Sequence, residues 1–176
     1  MSDLEFPIVA PEKWANLMPL LIGVVAPVGA LVAIGLAKPQ PQEWPIIALA
    51  IAMMPLMAGL LAWSMHHRSV SLSPAGMRIR GLPWARLVPF GDLDIAKVRI
   101  VNLDEERKLR PGFKIAGARL PGFRSGWFRL HDARRAYVLL TDWRRTVELP
   151  RNDGRVYLFS LQRPESFIDA LGKLTR

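Results

Sequence analysis

The sequence predicts a two-helix transmembrane hairpin followed by a mainly-β domain, about seven strands in a barrel-like double sheet closed by a C-terminal α-helix. Three observations point there. Residues 17–37 and 45–65 are two runs without a single charge. Beyond residue 68 the apolar residues stop running together and begin to alternate. The charge is also split. Residues 1–65 hold two basic and four acidic side chains, a net of −2, whereas residues 66–176 hold 22 and 11, a net of +11, within a total of +9. A mean hydropathy of +0.16 therefore averages two unlike objects. A composition with 51% hydrophobic residues excludes disorder, and the absence of cysteine removes disulfide scaffolds and thiol chemistry.

The first element is the hairpin, residues 14–66, behind an N-terminal tail at 1–13. At about 1.5 Å per residue each uncharged run reaches roughly 30 Å, the thickness of a bilayer's hydrocarbon core. The linker at 38–44 is short, polar and broken by Pro39 and Pro41, so the helices must be antiparallel neighbours. Trp14, Trp44 and Trp63 stand near the span ends, where indole favours the headgroup level. The acidic residues ahead of the first run, Asp3, Glu5 and Glu12, argue for an uncleaved anchor rather than a signal peptide. Arg68, Arg78, Arg80 and Arg86 follow the second run, which predicts both termini in the cytoplasm. Pro27 and Pro55 read as tolerated kinks. Gly29, Ala33 and Ala37, with Ala48 and Ala52, recur at four-residue spacing and are the expected packing positions between helices.

The β domain, residues 67–176, follows from period-two alternation. Val70 and Leu72, Met77 and Ile79, Ala96 to Ile100 and Phe128 to Leu130 alternate; with the near-continuous run 134–141 and the stretches 146–149 and 155–161 they give about seven strands in a meander. Residues 73–76 and 150–154 are turn signals. Pro164 and Glu165 then open a helix whose Phe167, Ile168, Leu171 and Leu174 share one face.

Residues 117–128 (Gly-Ala-Arg-Leu-Pro-Gly-Phe-Arg-Ser-Gly-Trp-Phe), then 136–142, 156–160 and the closing 163–171, resemble bacterial pleckstrin-homology-like (PH-like) domains of small membrane proteins. The resemblance covers most of residues 66–174. It implies a PH-like fold, a membrane-tethered binding or scaffolding module without catalysis, and residence at the bacterial inner membrane. It carries over no ligand residues. One departure is Arg163, where the family often has serine or aspartate before the helix-opening proline; this weakens the cap by about 1 kcal/mol.

The residues themselves offer little catalytic chemistry. His66 and His67 read as the polar end of the second run, and the pair His131–Asp132 lacks a serine in a nucleophile-elbow context. Gly112, Gly117, Gly122 and Gly126 match no phosphate loop and read as bends and bulges. No cofactor and no metal are expected. The informative stretch is 107–126, a basic loop in which Arg107, Lys108, Arg110, Lys114, Arg119 and Arg124 meet no acidic residue and interleave with Leu109, Phe113, Leu120 and Phe123. Cations beside a membrane attract anionic headgroups at roughly 1 kcal/mol each, and the apolar side chains can insert shallowly. The expected partners are the membrane itself and a protein or complex organised there, with anionic lipid as a further contact and nucleic acid disfavoured. The alternative is a structural accessory subunit of a larger membrane complex, held mainly through the hairpin.

Overall fold

A computed structural model describes residues 4–10, 17, 21–37, 40–66, 68–80 and 85–175. The chain forms two compact units, Lys13–His66 and Met1–Glu12 with His67–Arg176.

In the first unit, a π-helical turn at Leu21–Val25 runs into helix α1 (Ala26–Ala37). The widened turn stands just ahead of Pro27, whose ring nitrogen has no hydrogen to donate, so the irregularity falls where the helical ladder is already broken. A 3₁₀ turn at Pro41–Glu43, in which the Gln40 N–H donates to the Glu43 carboxylate at 3.2 Å, leads into helix α2 (Trp44–His66). The turn packs tightly on α2 at Gly23, where a Cβ would lie 2.7 Å from the Ala58 Cβ. Most other described side chains face outward, with Val24, Leu31, Ile46, Leu49, Met57 and Leu60 between 50% and 73% exposed. One helix, Pro41–Leu60, is long and apolar enough to cross a membrane, and Gly23–Gly35 is a shorter apolar helix. The expectations on Trp14, Lys38 and His67 lie outside the described residues.

Among the described residues, the second unit has ten strands rather than about seven. Strands β1 (Leu4–Pro7), β2 (Ser69–Ser73), β3 (Gly76–Arg80) and β4 (Ala85–Val88) form one antiparallel sheet in sequence order. Strands β5 (Arg99–Val101), β6 (Pro111–Leu120), β7 (Phe123–Leu130), β8 (Arg135–Leu140), β9 (Thr146–Pro150) and β10 (Val156–Phe159) form the other, ordered β5-β9-β10-β8-β7-β6. The simple meander is thereby corrected: β10 inserts between β8 and β9 and runs parallel to β8. Residues 95–97 form a 3₁₀ turn, so the expected strand there is confined to β5.

Two cores explain the pattern. Phe6, Val70, Met77 and Ile79 of the first sheet meet Leu149, Tyr157 and Phe159 of the second. Helix α3 (Pro164–Leu174) joins this core through Phe167 and Leu171. Phe128, Val138, Leu140, Val156 and Leu158 fill a second core on the opposite side, covered by Leu103 and Leu109. The central strand β10 is buried throughout, which is why its sequence runs apolar instead of alternating. The N-cap of α3 is Arg163 and makes no side-chain capping bond, as its residue type requires.

Candidate functional site

The basic stretch is not a loop. Its residues form a 3₁₀ turn at Arg107–Leu109 and then the β6–β7 hairpin, closed by Pro121 and Gly122. Alternation failed to reveal β6 because it is an outer strand exposed over most of its length, with register shifts between Pro111 and Phe113 and between Lys114 and Ala116. Gly117 and Gly126 face each other across the hairpin at φ of 129° and 119°. A Cβ on either would sit 2.1 or 2.2 Å from a carbonyl oxygen of the opposing strand, so two glycines are needed for the strands to pass this closely.

The six cations have different surroundings. Arg110 and Arg124 stack on the Trp143 ring, at 5.4 and 4.5 Å from its centroid. Arg110 also donates to the Leu103 carbonyl and pairs with Asp104 at 3.0 Å, while Arg124 donates to the Pro111 carbonyl at 2.7 Å. Burial, helped by the nearby Arg119 and Arg110 charges, pulls the Arg124 pKa below its usual value. Arg119 reaches the Gly112 carbonyl at 3.4 Å. Arg107, Lys108 and Lys114 are exposed, with no ion pair among the described residues. Three of the six thus brace the hairpin and three face solvent. In the first unit, Gly29, Ala33, Ala48 and Ala52 are exposed, nothing lies within 4 Å of a Cβ built on Gly29, and the Ala37 side chain lies outside the described ones.

His131 and Asp132 do not form a base and orienter. The Asp132 carboxylate accepts from the Arg134 backbone at 3.0 Å and from its guanidinium at 2.6 Å.

Other residues became visible only in the fold. Trp127, Tyr137 and Tyr157 make successive edge contacts across β7, β8 and β10, and Tyr157 stacks on Phe159. The Arg86 and Arg155 guanidiniums approach the Trp127 ring, at 5.8 and 5.7 Å. Burial raises the pKa of both tyrosines, with the nearby arginines acting in the opposite sense. Arg68 is buried over the Phe123 ring at 4.4 Å, and desolvation lowers its pKa to about 10. Glu148 is buried between Arg99 at 2.8 Å and Arg134 at 3.4 Å. A glutamate inside a strand was legible, but its two partners come from β5 and from the turn after β7.

The N-terminal segment, read from sequence as a tail, supplies β1. Leu4 to Pro7 pair with Leu72 to Ser69. The Ile8 N–H donates to the Arg68 carbonyl at 3.5 Å, the Val9 N–H to Ser160 at 2.8 Å, and the Thr141 hydroxyl to the Val9 carbonyl at 2.8 Å. Both ends of segment 9–67 are therefore tied to one sheet.

A double sheet with one closing helix and cations displayed on strands and turns defines a class of binding modules that are generally non-catalytic. The chain belongs to the bacterial PH domain family, whose match covers residues 69–175, more than half of its length. Strand β1 lies outside that match. No curated protein and no solved structure matches the chain.

Proposed function

We propose that the protein is a non-catalytic binding module held at the bacterial inner membrane by a two-span hairpin, where it organises a protein partner or complex. Its basic surface contacts anionic lipid or an acidic face of that partner. One observation carries the membrane reading: the segment between Ile8 and Arg68 starts and ends in the same sheet. A segment tied at both ends to one domain crosses a bilayer an even number of times. Since Pro41–Leu60 suffices for one crossing, the shorter apolar helix Gly23–Gly35, extended by the uncharged residues upstream, supplies the return. The exposed apolar side chains of both helices support the same conclusion, because water would make such a surface costly.

Because the chain has no cysteine, single cysteines test this directly. Gln42→Cys and Ser166→Cys are introduced into the full chain and treated in intact cells with a membrane-impermeant maleimide. Cys at 42 is expected to label in intact cells, and Cys at 166 only after lysis. Equal labelling of both, or release of the chain by alkaline carbonate, refutes the reading.

The accessory-subunit alternative draws on the outward-facing Gly29, Ala33, Ala48 and Ala52, which are free to meet another helix. Loss of a co-purifying subunit on Gly29→Leu and Ala52→Leu, with the β unit unchanged in stability, favours that reading.

A further inference from the structure

We infer that Arg86, Arg135 and Arg155 form, around Trp127, a binding site for a phosphate group. The four residues and Ile115 line a cavity of about 210 Å³. Pockets for drug-sized ligands run from about 300 Å³ upward, so this one suits a compact ionic group. No carboxylate lines it. The neighbouring cavity, which shares Arg155, differs in this respect: Asp94 and Glu148 stand among its cations and already neutralise them.

The cations of the Trp127 cavity are held together at a cost. Arg135 lies directly opposite Arg129 in the β7–β8 register, a like-charge pairing that destabilises a sheet. Among the described residues, neither Arg86 nor Arg135 makes an ion pair. Arg155 reaches only Asp153, at 3.6 Å, and Asp153 is shared with Arg151 at 3.3 Å. Asp132, close to Arg135 in sequence, is paired with Arg134 instead. A missing counterion supplied from outside resolves the arrangement. Three guanidiniums match a multiply charged tetrahedral oxyanion better than a single carboxylate, and the Trp127 ring fixes two of them in place.

The phosphate has two sources, a lipid headgroup or a soluble ion. The first rests on the membrane reading above, and Phe113 and Ile115, 74% and 47% exposed on the neighbouring edge strand, give it an apolar contact.

Arginine footprinting of the full chain with phenylglyoxal, read residue by residue by mass spectrometry, tests the site. Exposed Arg144 serves as the internal reference. In neutral detergent, inorganic phosphate is expected to slow modification of Arg86, Arg135 and Arg155 by about threefold or more, as mass action gives once occupancy passes about two-thirds. In phosphate-free nanodiscs, phosphatidylglycerol is expected to do the same relative to phosphatidylcholine, whose phosphate is masked by choline. Protection by inorganic phosphate alone keeps the site and assigns it to a soluble phosphate, while protection by both assigns it to lipid. No protection in either arm beyond that at Arg144 overturns the proposal, and the detergent arm does so whether or not the membrane reading holds. Arg135→Gln is expected to abolish protection at Arg86 and Arg155 while leaving the melting temperature unchanged or higher, because Arg129 loses its like-charged neighbour. Persistent protection in that variant also refutes the site.

Discussion

Phe6 decides whether β1 is part of the fold, and with it the parity argument behind the proposed membrane anchoring. The ring is 9% exposed and meets Phe167 of α3 edge-on, with centroids 5.2 Å apart. A phenylalanine side chain brings about 200 Å² of surface, so roughly 180 Å² is buried here, worth at most about 4.5 kcal/mol at ~25 cal/mol per Å². Alanine keeps part of that burial, and the site lies near the edge of the core, where neighbours can collapse into the gap. Phe6→Ala is therefore expected to cost about 3 kcal/mol, a large share of a typical domain's ~5–15 kcal/mol. The assay is urea unfolding of the full chain in neutral detergent, followed by near-ultraviolet circular dichroism from the β unit. Deleting residues 1–9 should cost more, since it also leaves the Ser160 carbonyl and Thr141 hydroxyl without the partners they have at Val9. A loss below about 1 kcal/mol for Phe6→Ala would show that β1 is not docked and would remove the argument for an even number of crossings.

Two further substitutions probe the β unit. Gly117→Ala should destabilise it by at least about 3 kcal/mol, because the new Cβ meets the Ser125 carbonyl at 2.1 Å on backbone at φ 129°, and adding Gly126→Ala should cost little more, since both act at one strand crossing; thermal unfolding of the single and double variants measures this. Glu148→Gln should cost about 1–2 kcal/mol by leaving the Arg99 and Arg134 guanidiniums facing each other over a buried, uncharged amide, a loss that Glu148→Asp should partly spare and that chemical denaturation resolves.

What was legible in the sequence was local. Helix α2 follows from an uncharged run, β2, β3 and α3 follow from periods of two and 3.6, and β8 follows from a near-continuous apolar run that the segment carries by itself. The turn at residues 73–76 was legible for the same reason, since Gly76 at φ 135° and the Ser73 hydroxyl on its carbonyl are determined by neighbours.

Other features depended on partners distant along the chain. Four residues ending in a proline make no strand signal, and β1 exists because β2, more than 60 residues further along the chain, offers it an open edge. Strand β6 is exposed over most of its length and shifts register twice, so its sequence lacks the alternation that a half-buried strand acquires. The insertion of β10 between β8 and β9 is set by burial on both faces, which only the packed sheets supply. The basic character of the chain was plain from composition, but composition could not separate cations by their surroundings. Tertiary structure turned Arg110 and Arg124 onto Trp143 and brought Arg86, Arg135 and Arg155 around Trp127, because charge is a property of residues and its neutralisation a property of neighbours. By itself the sequence determined an uncharged apolar segment and a basic β domain; where that domain's unbalanced charge converges was decided by the fold.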